Sequence, residues 1–206
     1  MRDVEEPPFI DLSVREILTE MKDISEVMVD LAYAALMFDS EDIAQKVSEL
    51  EAEMDNLNYA IKIKTLMAAR TREDAIQLSG LLQIAAAAES ISNAAGDLVK
   101  LQDVDIERRP FLSFMLRESE EKIRMGTLSE KSDMVNRTIG DLGVEAETGM
   151  RVIAIKRRQR WIYDPEPETK LKARDTLIVR GTKDGYERLA EFISGRKHWP
   201  EYEVGA

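Results

Sequence analysis

The chain has no cysteine and a single histidine among its 206 residues. Without cysteine there are no disulfides, no thiolate metal sites and no thiol nucleophile. The lone His198 sits in the tail His198-Trp199-Pro200 and has no triad partners in view. Glycine is sparse, and neither GxGxxG nor GxxxxGK[ST] occurs, so the sequence offers no phosphate-cradling loop. No run approaches the roughly 18 apolar residues of a membrane span. The start, Met1-Arg2-Asp3-Val4-Glu5-Glu6, lacks the basic and apolar blocks of a secretory leader. Aromatic residues make up 6%, and Trp161 and Trp199 read as packing or interface residues. These absences predict a cytoplasmic protein that is not an enzyme and does not insert into a membrane.

What is present describes a folded chain, with 44% hydrophobic and 33% charged residues. The charge is uneven. Residues 1–125 hold 14 Lys+Arg against 26 Asp+Glu, whereas residues 126–206 hold 15 against 14. Charge and hydrophobic period both change near Gly126, which predicts two domains, 1–125 and 126–206. The acidic first part would repel a phosphate backbone, so no nucleic acid partner is expected.

The first part carries a helical period throughout. Val14, Ile17, Met21, Ile24, Met28, Leu31, Ala35 and Phe38 form one row. Ile43, Val47, Leu50, Met54, Leu57 and Ile61 form a second, and Leu81, Ile84, Ala88, Ile91, Ala95 and Leu98 a third. Asp39-Ser40-Glu41-Asp42 reads as the cap and acidic first turn of the second helix, and Thr71-Arg72-Glu73-Asp74 as a capping box for the third. Such short breaks imply an antiparallel bundle of long helices. A further amphipathic stretch from Pro110 to about Lys122 (Phe111, Leu112, Met115, Leu116) reads as a connector helix. The third helix is rich in small residues, Ala85 to Ala88, Ser90, Ser92, Ala94, Ala95 and Gly96. They suit close packing inside the bundle and equally a dimer formed through a helix face.

Two acidic spacings border these stripes. Glu51 and Asp55 are four apart on the second helix, and Glu89, Asn93 and Asp97 repeat that step on the third. Carboxylates from neighbouring helices can hold a hard metal ion, and the same spacing also makes an ordinary solvated acidic face. The segment Glu51-x-x-x-Asp55, followed by Leu57 and Ile61, resembles the first metal motif of PhoU-type helical domains. The run Glu89-Ser90-Ile91-Ser92-Asn93-Ala94-Ala95-Gly96-Asp97-Leu98 resembles the second. The likeness covers one three-helix unit, about residues 12–105. It implies a possible metal ion in the bundle on Glu51, Asp55, Glu89 and Asp97. Ser90 and Asn93 stand where that family has Arg and Asp, and Asn is a neutral, poorer ligand.

The second part reads as a small α/β domain. Ile139 to Val144 fits a helix, and Val152-Ile153-Ala154-Ile155 a central strand covered on both faces. The basic tip Lys156-Arg157-Arg158-Gln159 joins it in a hairpin to Arg160-Trp161-Ile162-Tyr163. Asp164-Pro165-Glu166-Pro167 ends that strand. Thr176 to Arg180 forms a third strand, and Thr182 caps a last helix carrying Tyr186, Leu189, Phe192 and Ile193. The order of Arg137 to Leu142, Gly149, Val152 to Arg157, Ile162, Pro165 and Asp175 to Gly181 resembles the TrkA-C regulatory domain of potassium-conductance regulators. Arg174 stands where that family commonly has Gly.

The resemblance implies a homodimer, and a small ligand such as a cyclic dinucleotide held between protomers near Ile153, Arg157, Arg158, Tyr163 and Pro165. The basic hairpin reads either as an anion-attracting edge or as a solvated turn. The expectation is an α plus α/β two-domain protein, a PhoU-like antiparallel long-helix bundle followed by a TrkA-C-like domain. Its expected role is regulation of a membrane potassium channel or transporter subunit. A metal-binding phosphate-signalling adaptor and a structural oligomerisation module remain as alternatives.

Overall fold

The computed structural model describes residues 9, 11–103, 121–158 and 160–200. Contacts divide the chain into two units, Met1–Ile106 and Glu107–Ala206.

The first unit is three long helices, α1 (Val14–Phe38), α2 (Glu41–Ala68) and α3 (Arg72–Lys100), followed by a 3-10 turn, Leu101–Asp103. Each helix packs on the other two. A capping box starts α1: Glu16 N–H donates to Ser13 Oγ (3.2 Å) while Ser13 N–H donates to Glu16 Oε2 (2.7 Å). Asp39, in the left-handed region at φ 47°, stops α1. Thr71 and Asp74 make the expected capping box of α3. Ser40 holds the N-cap position of α2, but its side chain makes no capping hydrogen bond.

The core of this unit follows the first two rows closely. Ile17, Met21, Met28, Leu31, Ile43, Val47, Met54, Leu57 and Ile61 are all fully buried. The third row needs correction. The buried face of α3 is Ala85, Ala88, Ser92, Ala95, Gly96 and Val99, while Ile84 (58% exposed) and Ile91 (44%) point outward. Small side chains let the helices approach, so α3 turns its alanine face inward and leaves its larger apolar residues outside. Ser92, fully buried, donates to Met28 Sδ (3.1 Å).

The second unit is a four-stranded antiparallel sheet in the order β1-β4-β2-β3, with β1 (Glu121–Thr127), β2 (Met150–Arg157), β3 (Arg160–Tyr163) and β4 (Thr176–Thr182). Short helices α4 (Ile139–Leu142) and α5 (Val144–Thr148) precede β2, and α6 (Lys183–Ile193) follows β4. The β2–β3 hairpin and the α6 cap by Thr182 fall where the sequence places them. Strand β1 is new: it pairs with β4 from Glu121↔Thr182 to Thr127↔Thr176. The sheet therefore begins ahead of Gly126, and Glu121 and Lys122 are strand, not the end of a connector helix. The rest of that proposed connector, including Phe111, Leu112, Met115 and Leu116, lies outside the described residues.

One face of the sheet carries Met150, Val152, Ile155, Leu177 and Val179, packed with Leu128, Leu142, Val144, Leu189 and Phe192. A bulge between Val152 and Ala154 shifts the register of β2 against β4. Ile153, Ala154 and Ile178 are buried as well, so the central strands are covered on both faces. Gly181 marks the closest approach in the sheet: a Cβ there would collide with the backbone carbonyl oxygen of Gly149.

Candidate functional site

The hairpin tip and the loop before β4 build a cationic groove. Its volume is about 1000 Å³, and it is lined by Arg157, Arg158, Arg160, Trp161, Ile162, Lys172, Ala173, Arg174 and Asp175. Two lining arginines, Arg158 (φ 57°) and Arg174 (φ 67°), adopt the left-handed backbone that lets each turn reverse tightly. Arg174 pairs with Glu130 at 2.8 Å. The groove edge is thus cationic within a chain of net charge −11.

The groove rests on one buried ion pair. Asp175 is 1% exposed and accepts from Arg157 twice, Nε to Oδ1 at 2.9 Å and Nη2 to Oδ2 at 2.7 Å. Lys172 N–H donates to the same carboxylate (2.8 Å), and Arg157 Nη2 also donates to Lys170 O (2.8 Å). Hydrogen bonding to Asp175 raises the Arg157 pKa still further, against the opposing effect of burial. Arg157 therefore clamps the 170–175 loop to β2, a structural task added to the ligand role expected of it.

The other expected ligand residues spread out. Arg158 is exposed on the groove rim. Ile153 is fully buried at the bulge, and its carbonyl accepts from Asp164 N–H (3.0 Å). Tyr163 stacks on Trp161 (5.7 Å, 14°), and Lys156 Nζ lies 5.0 Å from the Trp161 ring centre. Cross-strand pairing puts Lys156 with Trp161 and Ala154 with Tyr163, so this aromatic pair shares one ribbon face. Pro165 follows, half-buried, beyond the strand end. Arg157 and Arg158 line the groove; Ile153, Tyr163 and Pro165 do not. The sequence reading missed Arg160, Lys172 and Arg174 as groove residues. The alternating cations of Lys170-Leu171-Lys172-Ala173-Arg174 were a visible signal, but only folding brings that loop beside the hairpin.

The four bundle carboxylates do not form a centre. Among the described residues there is no group of three or more His, Cys, Asp or Glu placed to hold a metal ion. Asp97 is paired with Lys100 (2.7 Å), whose pKa is raised first by that hydrogen bond and also by the charge of Glu51. The Glu51 carboxylate lies where a Cβ on Gly96 would sit. Asp55 is exposed and Glu89 half-buried. Lys100 thus lies beside two of the four candidates and occupies the Asp97 carboxylate.

His198 has a structural task. Its Nδ1 lies 2.7 Å from Asp133 Oδ2, which also accepts from Trp199 N–H (3.2 Å). The tail is thereby held where Trp199 packs on Phe192, ring centres 4.6 Å apart. Hydrogen bonding to His198 holds the Asp133 carboxyl below its ordinary value.

A three-helix domain followed by a small antiparallel α/β domain with a cationic groove defines the architecture. Residues 18–101 match the family described as the PhoU domain and residues 127–194 the family described as the TrkA-C domain. Potassium channel protein 1 of Methanocaldococcus jannaschii is 26% identical over 83 residues, covering 40% of this chain and 25% of that protein. The chain thus spans a quarter of the length of that relative. The RCK_C domain dimer of S. agalactiae BusR in complex with c-di-AMP is 26% identical, covering 38% of this chain and 96% of that one, with a TM-score of 0.36. The RCK C domain of the potassium transport protein KtrA in complex with cyclic diadenosine monophosphate is 31% identical, covering 39% and 93%, with a TM-score of 0.34.

Proposed function

We propose that this chain is a regulatory subunit of potassium transport that senses an anionic small molecule through a dimer of its TrkA-C domain. The observation that carries the reading is the TrkA-C match over 127–194, with a cationic groove inside the matched region. The ligand class is a cyclic dinucleotide: its phosphates suit Arg158, Arg160 and Lys172, and the rim residue Trp161 offers a ring for a base. Ligand binding shifts the dimer between two arrangements with different affinity. The helical domain passes that change to a membrane channel or transporter subunit. The protein acts in the cytoplasm and catalyses no reaction; no described helix is long and apolar enough to cross a membrane.

Calorimetry of the full chain against a panel of nucleotides tests this. Cyclic di-AMP is expected to bind, and Arg158→Ala or Arg160→Ala each to weaken it about 5-fold, the effect of losing ~1 kcal/mol per charged contact. Heat with none of the nucleotides would remove the sensing role.

The PhoU match supports a second reading, a phosphate-signalling adaptor that works through a metal on the bundle. It requires iron, zinc or magnesium uptake that Glu51→Gln and Asp97→Asn abolish. The Lys100–Asp97 pair opposes it.

A further inference from the structure

Two of the arginines that line the groove sit on backbone that favours glycine. Arg158 (φ 57°) opens the hairpin turn between the paired residues Arg157 and Arg160. Arg174 (φ 67°) is the third residue of a β-turn, closed by Asp175 N–H donating to Lys172 O (3.1 Å). Both positions take glycine or asparagine most readily, because a Cβ is strained there. Asp39, Asn136 and Asp164 share this conformation, but theirs are residue types that tolerate it. A long cation in that conformation at two turns of one groove costs stability, and strain of this kind points to a task for the side chain.

The two ion pairs at the groove differ in kind. Arg157 grips Asp175 with two hydrogen bonds, and the carboxylate is 1% exposed. Arg174 meets Glu130 at 2.8 Å with both side chains in water, 81% and 62% exposed. Backbone pairing sets up that second contact. Arg174 N–H donates to Leu128 O (2.8 Å) and Leu128 N–H to Asp175 O (2.8 Å), which pins the turn beside the segment carrying Glu130. Arg174 lines the groove, whereas Glu130 does not. A sealed two-bond pair resists exchange, but an exposed pair is worth little and is readily given up for a better acceptor.

We infer that Arg174 is the exchangeable phosphate ligand of the groove: Glu130 holds its guanidinium at the rim until a phosphate group takes it over. The inference rests on the anion-sensing role proposed above and adds the residue pair that sets which anions are held. A guanidinium leaves a carboxylate only for an acceptor that offers it as much. A halide ion therefore gains little from Arg174, whereas a phosphate presents two oxygens to its planar fork. With Arg158 on the hairpin wall and Arg174 on the turn wall, the groove suits a ligand that carries two phosphate groups. Arg157 stays on Asp175 throughout and keeps the two walls in place.

Calorimetry of the full chain with cyclic di-AMP and with inorganic pyrophosphate tests the pair. Arg174→Gly is expected to weaken binding about 5-fold. The same variant should melt no lower than the parent, because glycine accepts the left-handed backbone without strain. Glu130→Gln is expected to tighten binding about 3-fold, within the range of an exposed pair. In the Arg174→Gly background Glu130→Gln should change nothing, since its effect runs through the freed arginine. An Arg174→Gly chain that binds as tightly as the parent would overturn the role of Arg174 and leave the sensing role standing. Equal tightening by Glu130→Gln with and without Arg174 would show that Glu130 acts by its charge alone and overturn the exchange. A parent chain that binds pyrophosphate but not cyclic di-AMP would remove the cyclic dinucleotide, and the variants then judge Arg174 on pyrophosphate. Binding of neither probe would remove the anion site and Arg174 with it.

Discussion

Arg157 and Asp175 show how one pair can serve both stability and the site. The carboxylate is sealed from solvent and accepts three hydrogen bonds from Arg157 and the Lys172 amide. Removing the arginine leaves a buried charge uncompensated, a larger loss than that of a surface pair. Arg157→Ala is expected to cost about 3 kcal/mol in urea unfolding of the second unit, against less than 0.5 kcal/mol for Arg158→Ala. A second residue contrast separates two glycines. In Gly181→Ala the new methyl meets backbone, the Gly149 carbonyl, and β4 cannot move away from β2, so melting should drop by several degrees. In Gly96→Ala the obstacle is the end of the Glu51 side chain, which can swing out to solvent, while alanine favours the helix by up to about 1 kcal/mol. That variant is expected to melt no lower than the parent.

At the scale of elements, the caps decide where helices start, and one of them is pH-sensitive. Backbone N–H donation, from Arg70 first, together with the Thr71 hydroxyl, holds the Asp74 carboxyl below its ordinary range. A depressed folded pKa stabilises above the unfolded value near 3.9 and loses that effect as pH falls through the folded value. The cap of α3 should therefore loosen below about pH 4, read as faster exchange of the Arg70 and Thr71 amides, which donate to the Asp74 carboxylate. Thr71→Ala, which removes the cap acceptor, is expected to cost about 1 kcal/mol at neutral pH. Elements with strong local signals were legible in the sequence: the rows from Ile17 to Met28 and from Ile43 to Ile61, the Thr71 cap, the β2–β3 hairpin, and the α6 cap at Thr182. The outward turn of Ile84 and Ile91 was not, because periodicity ranks side chains by apolarity whereas packing chose alanines. Strand β1 was also hidden, since Glu121-Lys122-Ile123-Arg124 carries charge and its pairing with β4 spans some fifty residues. In the groove, Arg157 and Arg158 were legible from the basic hairpin. Arg160, Lys172, Arg174 and the partner Asp175 needed the fold, for no local pattern ties residue 157 to residue 175.

At the scale of the molecule, two units with separate cores and unlike charge predict two thermal transitions. A ligand that binds only the folded second unit raises that unit's stability by RT ln(1 + [L]/Kd), about 2.7 kcal/mol at a hundredfold excess over Kd. For a unit of this size the gain corresponds to roughly 10 °C or more in melting temperature. Cyclic di-AMP should thus raise one transition of the full chain in differential scanning calorimetry and leave the other in place, if the helical domain responds only through geometry. The cationic groove adds a salt signature: the shift should shrink between 50 and 300 mM salt as counterions compete for Arg158, Arg160 and Lys172. A melting shift that fades across this salt series assigns the ligand to the cationic groove, and a shift that holds would place it on an uncharged surface instead.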